Sequence, residues 1–186
     1  PVTTSTFDDI HLRKDELVLD NTKFRTLEID KLVRENSRTV SVYFKPTDED
    51  FYRYKAGQYL TLKVMVHGQV YYRCFSLSSS PELDSFLRIT IRLKGKVSHH
   101  FYYDAKVGER IEALLPVGEF NLKSNLKDSN QYFMVAGGSG ITPIYSMIKQ
   151  ILVFEPHRKL TLLYANSNEE HIIFKEELKG LANQYH

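Results

Sequence analysis

The chain has 186 residues, 42% of them hydrophobic and 12% aromatic, with 25 Lys and Arg against 23 Asp and Glu for a net charge of +2. That apolar content excludes a disordered polyelectrolyte, and no run of five like charges offers a footing for nucleic acid or an anionic membrane. Cys74 is the single cysteine, which excludes an intrachain disulfide, an iron–sulfur cluster held by this chain alone and a zinc site of the usual cysteine type.

No metal site is expected. The apolar runs are too short for a membrane span, and no charged-then-apolar leader is visible at the start, so a cytoplasmic location is expected.

Residues 1–22 mix polar and apolar types and read as an N-terminal leader or edge segment. Residues 24–33 alternate as a half-buried strand does, and residues 39–44 are β-branched and aromatic up to Pro46. Gly57 precedes a strand over 58–66, and His67-Gly68 makes a tight hairpin into a strand over 70–77. Strands follow over 86–93 and 111–115, the latter closed by Pro116 and Gly118. Six short strands separated by turn residues predict an antiparallel β-barrel over residues 23–125.

Residues 124–131 are polar and read as a linker. Residues 132–136 form a continuous apolar run, typical of a parallel strand buried on both faces. Gly137-Gly138-Ser139-Gly140 leads into a helix over 141–154, with Ile144, Ile148, Ile151 and Leu152 on one side. Thr142 suits its cap and Pro143 its first position. A second buried strand (159–165) and a second helix (172–185) complete a partial parallel α/β domain over 126–186.

Three segments carry chemistry. Arg73-Cys74-Phe75-Ser76 places a fork-shaped cation, a ring and a hydroxyl on one short strand, a set that suits a phosphorylated planar cofactor. Taken alone it is also an ordinary edge strand. Cys74 reads as a small residue packed beside it. The turn Gly137–Pro143 lets backbone approach a ligand at a helix start, where free N–H groups suit a pyrophosphate. It lacks the third glycine of the usual dinucleotide pattern, and a plain strand-to-helix turn remains open. Gly95-Lys96-Val97-Ser98, with Arg92 and Lys94, opens a short helical stretch over 97–103. It either holds another phosphate or is a solvated basic turn.

In this order, Arg73-x-Phe75-Ser76, Gly95-x-Val97-Ser98 and Gly137-Gly138-Ser139-Gly140-Ile141-Thr142-Pro143 resemble the ferredoxin–NAD(P)H reductase superfamily. The likeness extends to the flavin reductase component of multicomponent oxygenases, of the phenylacetyl-CoA oxygenase reductase kind, and covers about residues 24–186. It implies a flavin-dependent NAD(P)H oxidoreductase that passes electrons through FAD to an iron–sulfur or haem acceptor. Arg73 would grip the FAD pyrophosphate, Phe75 would pack on the flavin, and Ser76 would act at its reactive N5. Gly95, Lys96, Val97 and Ser98 would bind the pyrophosphate. The turn from Gly137 to Pro143 would receive the nicotinamide nucleotide, with Thr142 near the flavin and Asn166 near the ribose.

The chain departs from that family in two places. The segment after residue 130 is about half as long as the family's nucleotide domain, so a sheet of about five strands is left with two. Either the chain is a piece of a longer reductase, or a second copy completes the sheet as a homo-oligomer. Where NADPH-specific members carry an Arg, this chain reads Asn166-Ser167-Asn168-Glu169-Glu170. Those glutamates would repel a phosphate and favour NADH, or simply start the next helix. A flavin- or nucleotide-binding fragment without turnover, and an interaction domain without cofactor, remain as other readings.

Overall fold

A computed structural model describes residues 24–46, 48–122 and 131–185. The leader over 1–22 and most of the linker over 124–131 lie outside the described residues.

Six strands form one curled antiparallel sheet: β1 (Arg25–Asn36), β2 (Thr39–Pro46), β3 (Tyr59–Val66), β4 (Gln69–Ser76), β5 (Leu87–Arg92) and β6 (Arg110–Ala113). Their order is β4-β3-β6-β1-β2-β5. The two edge strands meet through an isolated bridge, Leu77 with Ile89, so the sheet curls into a half-barrel. Alternation explains the core: Leu27 and Ile29, Val40 and Val42, Leu60 and Leu62, and Ile89 and Ile91 all face the interior and are buried. The hairpin between β3 and β4 turns at His67 and Gly68, both with positive φ, and pairs Val66 with Gln69. Gly57 (φ +102) cannot be replaced: a Cβ there would lie 2.1 Å from the Phe120 carbonyl oxygen.

Between β5 and β6 the chain forms α1 (Lys96–His99), continued by a π-helical turn (His100–Asp104) that buries Phe101 against the barrel core.

The second half holds β7 (Gln131–Gly137), α2 (Ile141–Phe154), β8 (Lys159–Ala165) and α3 (Lys175–Gln184). β7 and β8 pair in parallel. Ile144, Ile148 and Ile151 are buried, as their spacing requires.

Three expectations are corrected. The strands of this half are not buried on both faces: Phe133, Val135 and Leu163 are exposed, because α2 and α3 pack on one side alone among the described residues. Thr142 is not the cap of α2; Gly140 takes that place, and Pro143 sits third in the helix, still within the first turn where no intrahelical donor is needed. The last helix starts at Lys175, after a 3-10 turn (Glu169–His171).

The halves meet on the outer face of β2 and β5. Arg88, buried there, donates to Glu177 of α3 at 2.9 Å and to the Tyr43 hydroxyl at 3.1 Å. It lies over the rings of Tyr145 and Phe174. Ser146 of α2 donates to the Ser79 carbonyl, and Lys149 pairs with Asp84. No described helix is long and apolar enough to cross a membrane.

Candidate cofactor-binding site

The candidate residues fall into two groups. The first lies where β4 meets α1. Arg73 is exposed, with its guanidinium 5.6 Å from the centre of the Tyr71 ring and donating to the Tyr72 carbonyl at 2.7 Å. Lys96 approaches the same ring from α1, its Nζ 5.7 Å from the centre and 3.2 Å from the hydroxyl. Two cations from separate elements therefore converge on one tyrosine. Phe75, half-buried, stands edge-on to Phe101 at 6.3 Å. Ser76, also half-buried, ends β4. Tyr71 was missed in the sequence. The signal was there: it precedes Arg73 by two residues and so shares its face of the strand.

Gly95 caps α1 with extended backbone, and a Cβ there would meet nothing within 4 Å. Ser98 is turned inward: its Oγ accepts the Lys94 and Gly95 N–H groups at 2.8 Å and donates to the Gly95 carbonyl at 2.7 Å. Val97 packs in the barrel core. The side chains of both residues shape the turn, while the first-turn amides after Gly95 have no intrahelical acceptor. Cys74 is exposed rather than packed away, 3.4 Å from Thr61 Oγ1.

The second group surrounds the glycine turn. Gly138 has φ +48, and a Cβ on it would come 3.2 Å from Nη1 of Arg92, at the end of β5. Gly137 and Gly140 face open space. Ser139 is tied through its carbonyl, which accepts from Thr142 Oγ1 at 3.0 Å. Thr142 is buried, so its hydroxyl braces the turn. Tyr164 of β8 donates to the Gly138 carbonyl at 2.9 Å while accepting the Ile173 N–H at 3.3 Å. Burial pushes its phenol pKa up, keeping it a donor. Asn166 follows β8, with its Nδ2 buried beside the Tyr164 phenol. Arg92 thus belongs with the glycine turn rather than with the Gly95 segment.

An anion fits both groups. The first has two cations and one open glycine, the second one cation and three glycines, and each has amides at a helix start.

Comparison with known proteins bears on the same residues. An oxidoreductase FAD-binding domain matches residues 25–122, and an oxidoreductase NAD-binding domain matches residues 134–186. Flavohemoprotein B of Dictyostelium discoideum is 31% identical over 96% of this chain and 46% of its own length. The ferredoxin reductase component of 3-ketosteroid-9-alpha-monooxygenase from Rhodococcus rhodochrous is 36% identical over 86% of this chain and 46% of its own. The solved structure of phthalate dioxygenase reductase, a modular structure for electron transfer from pyridine nucleotides to [2Fe-2S], superposes with a TM-score of 0.73. It is 28% identical and covers 86% of this chain and 49% of that one. The chain spans about half the length of the curated relatives it matches. With the FAD-binding model covering more than half of it and the NAD-binding model following, the chain belongs to the FAD- and NAD-binding oxidoreductases of the ferredoxin reductase superfamily.

Proposed function

We propose that this chain passes electrons from NAD(P)H through FAD to a haem or iron–sulfur acceptor, as the flavin- and nucleotide-binding part of a reductase. The observation that carries the reading is the convergence of Arg73 and Lys96 on Tyr71 beside the first-turn amides of α1. Two cations and free amides next to a half-buried ring suit a pyrophosphate tied to a flat heterocycle. A bound flavin supplies the exchange between two-electron and one-electron chemistry.

The chain's residues do the rest. Arg73 and Lys96 hold the FAD pyrophosphate with the amides of Lys96, Val97 and Ser98. Phe75 packs against the flavin, and the Ser76 hydroxyl bonds near N5. Gly137, Gly138, Ser139 and Gly140 receive the phosphates of the nicotinamide nucleotide, in a turn kept in shape by Thr142 and Tyr164. Pro143 keeps the first turn of α2 free of an idle donor. The names of the relatives support both kinds of acceptor, haem in a flavohemoprotein and [2Fe-2S] in phthalate dioxygenase reductase.

The open face of β7 and β8 favours a second reading, in which the chain binds flavin without turnover and self-associates through that face. Anaerobic bleaching of bound flavin by NAD(P)H separates the two. Arg73→Ala should weaken FAD binding roughly tenfold or more, the scale of one charged hydrogen bond, with an unchanged far-UV circular dichroism spectrum because Arg73 is exposed. Unaltered flavin content in that variant would rule out the β4 site.

A further inference from the structure

A line of buried hydroxyls joins two carboxylates through one guanidinium. Glu35, near the end of β1, meets Ser41 Oγ at 2.5 Å; Ser41 meets Thr90 Oγ1 at 2.7 Å, and Thr90 meets Ser78 Oγ at 2.9 Å. Ser78 Oγ accepts from Nε of Arg88 at 3.1 Å and reaches the Arg88 carbonyl at 3.1 Å. Nη1 of Arg88 donates onward to Glu177 of α3 at 2.9 Å. Ser41 and Ser78 have no exposed surface and Thr90 has 5%, so the protein's own protons make the line.

Those protons balance only if Glu35 takes part. Four oxygen contacts run from Glu35 to the Arg88 carbonyl, and three hydroxyls bring three protons. With Glu35 protonated, the acid donates to Ser41, and Ser41, Thr90 and Ser78 each pass a bond onward as far as the carbonyl. With Glu35 ionised, every hydroxyl turns: Ser78 donates to Thr90, Thr90 to Ser41 and Ser41 to the carboxylate. The carbonyl gives up one donor and keeps the Ser78 N–H at 2.7 Å. In that second polarity each bond points from the Arg88 cation to the Glu35 anion, and aligned hydrogen bonds strengthen one another.

We propose that Glu35 is a proton-operated latch on the seam: protonated, it leaves Arg88 to Glu177 and holds α3 on the barrel; ionised, it draws on the same guanidinium through the hydroxyl line and loosens α3. Glu35 is thus a positioning residue that acts through Arg88, whichever cofactor binds. Burial disfavours its charge most and Glu177 disfavours it across the seam, while Lys31 of its own strand favours it. Coupling is reciprocal: a carboxylate that keeps the proton on Glu35 is itself held less well once that proton leaves. The other groups around Arg88 are the Tyr43 hydroxyl, the Tyr145 ring and the Lys149–Asp84 pair. Burial pulls the Lys149 pKa down, so a Glu35 variant is needed to separate the two.

The test is carboxyl 13C NMR of Glu35 in the whole chain, with hydrogen-exchange protection of α3 and β3 followed over the same pH range. As Glu35 ionises, protection over Lys175–Gln184 should fall roughly fivefold relative to Tyr59–Val66. Glu35→Gln, neutral and able to donate to Ser41, should remove that fall. Thr90→Val is close in volume and cuts the line, and should reduce the fall to about twofold or less. Glu177→Gln should lower the Glu35 midpoint. Protection of α3 that ignores the Glu35 titration overturns the proposal. So does a fall that persists in Glu35→Gln, which would assign it to Lys149, or one undiminished in Thr90→Val. An unchanged Glu35 midpoint in Glu177→Gln overturns it without any substitution in the buried line.

Discussion

The six-stranded half and the two-stranded half bury their strands differently. In the barrel, Leu62 of β3 and Ile89 of β5 face one interior and have no exposed surface. The outer face of β2 and β5 is covered in turn by α2 and α3 through Arg88, Ser146 and Lys149. In the other half, Ala136 and Tyr132 sit against the helix side, while Phe133 at 67% and Leu163 at 57% exposure stand open. A sheet that curls supplies its own second layer. A parallel sheet needs a layer on each face, and the described residues provide one. The first half is a finished core; the second takes its order from what it is docked against.

The widest gap between the halves should appear in paired truncations. Ile89→Ala removes a fully buried side chain and should cost about 2–5 kcal/mol in a urea unfolding series. Leu163→Ala removes an open one and should stay within about 0.5 kcal/mol. If Leu163→Ala costs as much as Ile89→Ala, the β7–β8 face is covered in solution and the contrast fails.

A smaller effect should come from the seam. The Arg88 side chain is 4% exposed, and the Glu177 carboxylate neutralises it from α3 with 41% exposure. Burial pulls the guanidinium pKa down, but Glu177 and Tyr43 more than reverse this and raise it, so the cation persists. Glu177→Gln leaves that charge buried without its counter-ion. Because Glu177 is well hydrated, we discount the usual penalty for a broken buried pair to about 1–3 kcal/mol. Hydrogen exchange over Lys175–Gln184 should rise in step. Unchanged exchange would mean that α3 is held by the apolar contacts of Phe174, Leu178 and Leu181 rather than by the ion pair.

How much was legible follows the same division. Each barrel strand announced itself, because alternation records one buried face and the hairpin at His67-Gly68 records its turn. The apolar run over 132–136 misled: Val135 and Phe133 are hydrophobic as strand residues are, but sequence does not say which layers are present to cover them. At the candidate site, the residue types of Arg73, Phe75 and the glycine turn were enough to raise the expectation of a bound anion. The contacts of Tyr71 and Tyr164 were not legible, because they are made with Lys96 and Gly138, 25 and 26 residues away.

The smallest effect tests the polar outer face of the barrel. Glu35 lies at an irregularity in the β1–β2 register, and its Oε1 accepts the Ser41 hydroxyl at 2.5 Å. Burial pushes its carboxyl pKa above the ordinary 4.5, and the Glu177 carboxylate adds to the rise, while Ser41, Arg88 and Lys31 oppose it. The folded chain therefore holds this proton more tightly than the unfolded chain does. Its contribution to stability is fully present below the unfolded pKa. It is lost as pH rises through the folded one and does not return above it. Glu35→Gln is neutral at every pH and can still accept from Ser41. It should match the parent in acid and gain up to about 1 kcal/mol near neutrality, read as a difference in urea midpoints that opens with rising pH. A difference that stays flat would show that this face of the barrel is as well hydrated as the open face of β7 and β8, and would remove the contrast at its most polar point.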